Sequence, residues 1–255
     1  MLWHKTWLET RSRFLIGLAL AVCSACATVF SYSAVRELLP LAPPPDVDGE
    51  LARRIRDTAQ LVRDYRGYVW VQWFARNLRD VWSLFAMLLG TGGLLAQATR
   101  GGALFTLSLP VARGRVLGVR AAVGLGELVA LAFVPSLIVV ALSPAVGQSY
   151  SVADALVHSA CLVIAGSVLF SLAFLLSTVF GDLWRPMLLT LLVAVVLALA
   201  EYVVPGAARF SVFNVMSAES YFRGEGAPWL SLVASAAASV AMLAGATRNI
   251  ARQDF

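Results

Sequence analysis

The sequence predicts an all-α integral membrane protein with six transmembrane helices. Of its 255 residues, 59% are apolar and 14% charged, against about 45–50% and about 25% in soluble domains. The mean hydropathy is +0.77, and the excess gathers into long runs that suit a bilayer as solvent. Those runs are continuous rather than alternating, which favours helices over a closed barrel. They leave little sequence outside the membrane, so residues 1–255 read as a single transmembrane domain. No internal repeat is visible, so an inverted-repeat architecture gains no support.

The expected spans are approximately 14–35, 81–98, 116–142, 154–180, 186–204 and 228–247. Each approaches the ~20 residues needed to cross ~30 Å of hydrocarbon at about 1.5 Å per residue. Ahead of the first span, MLWHKTWLETRSR puts Trp3, Trp7 and Leu8 on one helical face and Lys5, Arg11 and Arg13 elsewhere. That pattern suits an N-terminal amphipathic helix lying in the interface. A rival reading is a signal peptide cleaved near Ala25-Cys26-Ala27. Against it, the apolar run continues through Thr28, Val29 and Phe30.

Between the first two spans lies a long loop, 36–80. Pro43, Pro44 and Pro45 stiffen its start, and Asp48 is placed to cap a helix. Leu51, Ile55, Thr58, Val62 and Tyr65 then recur at helical spacing. Trp70, Trp73 and Phe74 follow within YVWVQWFARNL, a composition typical of a membrane–water boundary. The loop is therefore expected to form an external amphipathic helical hairpin resting on the membrane.

The stretch LFTLSLPVARGRVLGVR, residues 104–120, interrupts the apolar pattern between spans two and three. Pro110 lacks an N–H and is tolerated in a first helical turn but not within a helix, so one element ends there and another begins. Before the break, Leu104, Phe105, Leu107 and Leu109 form a short apolar surface helix, too short to span. After it, Arg113, Arg115 and Arg120 lead into the third span. An apolar surface helix ringed by cations suits a grip on a partner protein.

Orientation follows from the short loops. Segment 99–120 carries Arg100, Arg113, Arg115 and Arg120 with no acid, while 143–153 has no basic residue. Positive-inside counting places both termini in the cytoplasm. The arginines of 36–80 run against the rule, although that loop holds eight Arg against seven acids.

The chemistry-bearing residues are few. The net charge of +5 comes from nineteen Arg and one Lys, placed beside apolar runs as lipid contact and topology require rather than as a nucleic-acid surface. A P-loop needs G-x-x-x-x-G-K-[ST], and Lys5, though followed by Thr6, has no preceding glycines. Cys23 and Cys26 form a C-x-x-C inside an apolar run, without the second pair or histidine of a metal set. His158 follows Asp154 by one turn, so the two can hydrogen-bond, as an interfacial pair rather than a proton relay, and they join the candidate pathway or interhelix polar groups. Glu127 is the one acid well inside a span. At about 2.5–3.5 kcal/mol for an acid at mid-bilayer, it should face protein or a cavity, as pathway lining or as helix-interface packing.

Over most of its length, and most clearly across 70–130, the chain resembles the permease subunit of a type-2 ABC exporter. The resemblance rests on WFARNL (73–78), WSLFAMLLGTGGLLA (82–96), LSLPVARGRVLGVR (107–120), GLGEL (124–128) and the basic end ATRNIARQDF (246–255). It implies that 97–113 carries a cytoplasmic coupling helix, with Gln97, Arg100, Gly101, Gly102, Leu104, Phe105, Leu107, Leu109, Pro110, Arg113 and Arg115 facing an ATPase. Where the family usually has E-x-x-x-G-T, this chain has Gln97 and Gly101-Gly102, so a charged contact is missing. The resemblance further implies two separate ATPase subunits carrying ATP and Mg, and a second permease copy or paralogue. The chain itself would bind no cofactor or metal, catalyse no reaction, and sit in a bacterial or archaeal cytoplasmic membrane. Antibiotic, peptide, lipid and sugar-linked cargo all fit a mainly apolar pathway. The alternative class is an ion-coupled secondary transporter or channel, which calls for several buried ionisable groups where only Glu127 is firmly placed.

Overall fold

The computed structural model describes residues 2–38, 58–91, 113–203 and 211–251, and the elements among them are helical. In chain order they are α1 (Leu2–Phe30), α2 (Tyr32–Leu38) and α3 (Tyr65–Val69), then a π-helical segment (Trp70–Leu78) and α4 (Arg79–Gly90). There follow α5 (Arg113–Leu142), a 3-10 turn (Ser143–Val146), α6 (Val152–Leu176) and α7 (Trp184–Val203). Two short helices, α8 (Val212–Met216) and α9 (Glu219–Phe222), precede α10 (Trp229–Ala251).

Polar contacts show how these helices run. The α3, π and α4 segments join end to end in one rod, antiparallel to α1. Arg13 Nη1 donates to the Leu88 carbonyl at one end, and the Tyr68 hydroxyl donates to the Thr28 carbonyl at the other. α5 runs parallel to α1, since Thr10 meets Glu127 and the far end of α5 meets the rod through Tyr65 and Ser143. α6 and α10 are parallel, joined by Ser167–Ser239 and by Asn249 donating to Thr178. Leu2, Thr91, Arg113 and Ala251 therefore share one end of the bundle, and Phe30, Tyr65, Gly147 and Trp229 the other.

Four helical stretches are long and apolar enough to cross a membrane: Leu2–Phe30, Gly114–Val146, Val152–Leu176 and Trp229–Ala251. The apolar part of α7, Trp184–Ala200, is shorter. The rod is not among them, because Arg66, Arg76, Arg79 and Asp80 lower its hydropathy.

Several expectations are corrected. The N-terminal segment is no separate interfacial helix: it continues into α1 without a break. The aromatic cluster does not rest on a surface either. Trp73 and Phe74 are buried within the bundle, and the helix containing them continues directly into α4. The expected start of the second helix at residue 81 is thus too late, because the helix already begins at Tyr65. Residues 39–57, which hold most of the expected hairpin, lie outside the described residues. α8 and α9, which fold back between α7 and α10, were not anticipated.

The core is built by large aromatics seated against small residues. Trp82 is fully buried, donates Nε1–H to the Leu128 carbonyl at 2.9 Å, and packs its six-membered ring against Gly166 of α6. A Cβ at Gly166 would collide with that indole, so glycine here sets the rod–α6 distance. Pro135 sits inside α5 and removes one ladder hydrogen bond. At the next carbonyl, Ala132 accepts from the hydroxyls of Ser136 at 2.7 Å and of Ser159 of α6 at 3.3 Å, which ties α5 to α6 beside the proline.

Candidate functional site

Of the residues expected to face a partner, Gln97, Arg100, Gly101, Gly102, Leu104, Phe105, Leu107, Leu109 and Pro110 lie outside the described residues. Arg113 opens α5, and Arg115 is exposed at the same end of the bundle as Leu2. The remaining site residues belong to polar groups set into an otherwise apolar interior.

The first group lies between α1 and α5. Glu127 is 5% exposed, and its Oε1 accepts from the Thr10 hydroxyl at 2.5 Å. Its Oε2 is buried with no hydrogen-bond partner among the described residues. Two turns earlier on α5, Arg120 faces Glu9 at 3.9 Å, and Arg13 reaches the rod through the Leu88 carbonyl. α1 is thus held to α5 by side chains that cannot face lipid. Glu127 pairs with a hydroxyl on another helix, a partner that no local spacing shows.

The second group sits at the opposite end. Asp154 does not bond His158. Its Oδ2 accepts from Arg66 Nε at 2.9 Å, and its Oδ1 accepts from the Tyr221 hydroxyl at 3.0 Å. The carboxylate therefore ties α6 to the rod and to α9. Arg66 also lies over the Phe222 ring at 5.3 Å, and Phe222 stacks on Trp70 at 4.4 Å. His158, in the second turn of α6, is 1% exposed, with its ring tilted against Phe74 at 4.6 Å. The Ser217 backbone lies beside its ring. Tyr150, in the turn before α6, is buried with no partner for its hydroxyl among the described residues, and burial beside Asp154 pushes its pKa well above the ordinary value. The Tyr221 pKa is also raised, chiefly because its hydroxyl donates to Asp154.

The third group was not singled out by sequence. Trp73 Nε1 reaches Ser136 on α5, and Trp82 Nε1 reaches the Leu128 carbonyl. Arg79 and Asp80 fall between those two levels, opposite the middle of the Gly114–Val146 stretch. Arg79 Nε donates to Asp80 Oδ1 at 3.3 Å, and its guanidinium lies 5.8 Å from the Phe213 ring centre. The Asp80 side chain is nonetheless 62% exposed. Both residues open onto a cavity of about 430 Å³ between α4 and α7, walled by Leu84, Met87, Leu191, Val195 and Phe213. Ser83, one turn on, also lines it, and its buried hydroxyl has no partner among the described residues. An uncovered acid at this depth is costly against lipid tails, so this face borders protein, water or a bound molecule.

Among the described residues, no group of His, Cys, Asp and Glu is arranged to hold a metal ion. Comparison with known proteins gives no matching family model, no matching curated protein and no matching solved structure.

Proposed function

We propose that the chain is the membrane-spanning permease subunit of an ATP-driven ABC exporter. Six helical passes with both termini on the cytoplasmic side would surround a pathway bordered by the α4–α7 groove. The observation that carries this reading is LSLPVARGRVLGVR, an acid-free basic stretch broken by Pro110, with the resemblance it bears. Support comes from the helix directions. Thr91 and Arg113, which flank the segment, lie at the same end as both termini, and the arginine-free turn 143–149 lies at the other. In this reading two ATPase subunits hold ATP and Mg, and their closure acts on α4 and α5 through residues 97–113.

Co-purification with an ATPase subunit encoded beside this chain tests the proposal. Leu104, Phe105 and Leu107 would fill a groove on the ATPase, with Arg113 and Arg115 at its rim. Truncating a buried aromatic at an interface centre costs about 2 kcal/mol or more, whereas rim charges matter less. Phe105→Ala should weaken ATPase retention and transport more than Arg113→Ala does. Full retention and full transport with Leu104 and Phe105 both changed to Asp would remove the coupling role.

A further inference from the structure

Resting on the permease reading, we infer that the α4–α7 groove binds a cationic amphiphile, its protonated primary amine at Asp80 and Ser83 and its apolar chain along α7. The cavity, about 430 Å³, falls within the range of small-molecule sites. Its walls are apolar except at one end, where Arg79, Asp80 and Ser83 share a helix face at i, i+1 and i+4. The two charges there are not equivalent. The Arg79 side chain is 28% exposed, engaged by Asp80 and set against Phe213, whereas Asp80 is 62% exposed. What the groove presents to a ligand is therefore mainly a carboxylate. Ser83 adds a buried hydroxyl with no partner among the described residues, one turn away.

A primary ammonium supplies a positive charge and three N–H donors, matching one carboxylate and one hydroxyl oxygen. An anionic head would meet Asp80 with like charge. A quaternary ammonium would satisfy the charge but leave the Ser83 oxygen unbonded. The apolar chain would lie against Leu84, Met87, Leu191 and Val195, removing apolar surface from water at the same time.

The test uses the full chain in phosphatidylcholine nanodiscs and radiolabelled dodecylamine, with dodecyltrimethylammonium and dodecyl sulfate as competitors. Saturable dodecylamine binding is expected, weakened about tenfold or more by Asp80→Asn. Ser83→Ala should weaken dodecylamine but not dodecyltrimethylammonium. Ala194→Trp, which fills the groove, should abolish binding, whereas Val233→Ala on the exposed face of α10 should not change it. If Asp80→Asn does not remain monodisperse, Ala194→Trp carries the test. Non-saturable uptake equal in all variants would overturn the assignment, as would dodecyl sulfate competing as well as the amine. So would Asp80→Cys disulfides between copies in a Cys-free background, which would place a second copy in the groove. No ATPase is present in this measurement. Loss of ATPase co-purification with amine binding intact would sink the permease reading, and the reverse result only the cargo class.

Discussion

The Tyr221 hydroxyl donates to Asp154 at 3.0 Å, joining a four-residue helix to the first turn of α6, while Arg66 takes the other carboxylate oxygen. Tyr221→Phe should cost about 1 kcal/mol, read as a lower thermal midpoint in detergent. Alkaline pH gives a second readout. An unfolded tyrosine ionises near about pH 10, whereas folded Tyr221 and Tyr150 both hold their protons to higher pH. Their contribution is complete below that value and lost as pH rises through the folded pKa values. Melts taken from about pH 9 upward should decline above about pH 10, and less steeply with both residues changed to Phe. Identical slopes would show that the two hydroxyls do not govern this end of the bundle.

Removing one half of the Thr10–Glu127 pair should be worse than removing both. Thr10→Val leaves a buried carboxyl without the hydroxyl it uses, at a cost of about 1–2 kcal/mol inside a membrane bundle. Thr10→Val with Glu127→Leu replaces both partners with apolar side chains and should recover much of that loss. Thermal unfolding of the two single variants and the double variant reads this directly, and simple additivity would contradict the contact.

Gly166→Val should destabilise by about 1–3 kcal/mol, because the added carbons force Trp82 out of its seat. Gly126→Ala, where a Cβ meets nothing, is the matched control. Equal melting of the two variants would mean that the rod and α6 do not approach this closely.

Sidedness is open to labelling with a membrane-impermeant thiol reagent, once Cys23, Cys26 and Cys161 are replaced. Single cysteines at Gln60 and Ser149 should label from outside intact cells, and those at Ser108 and Ala251 should not. External labelling at position 108 would invert the arrangement and remove the case for coupling.

Much of the helical architecture was legible because long apolar runs have few other ways to bury their backbone. The α5 boundary was expected at residue 116 and falls at Arg113, and α10 was expected from 228 and begins at Trp229. The rod was harder to read for two physical reasons. Its charges mimic a loop, and its π-helical turns spoil the 3.6-residue spacing that marks a helix. Glu127 is buried, as its place inside an apolar run requires, while Asp154 bonds Arg66 and Tyr221 rather than the His158 that local spacing offers; these partners and Thr10 are distant in sequence. The importance of Asp80 depends on depth, and depth depends on where the rod begins.

The π-helical segment Trp70–Leu78 also works as a phase-setter for everything after it. Its wider turns accommodate a residue that an α-helical path of the same length would not. Deleting one residue there, for example Val71, would let the segment relax to α geometry while α4 kept its phase, with Trp82 still on Gly166 and Asp80 still at the groove. The same deletion between Arg79 and Trp82, where no wide turn absorbs it, would turn the rest of α4 by about 100° about its own axis. The wide turns thus mark the one stretch of the rod where a lost codon leaves the later side chains aimed as they are.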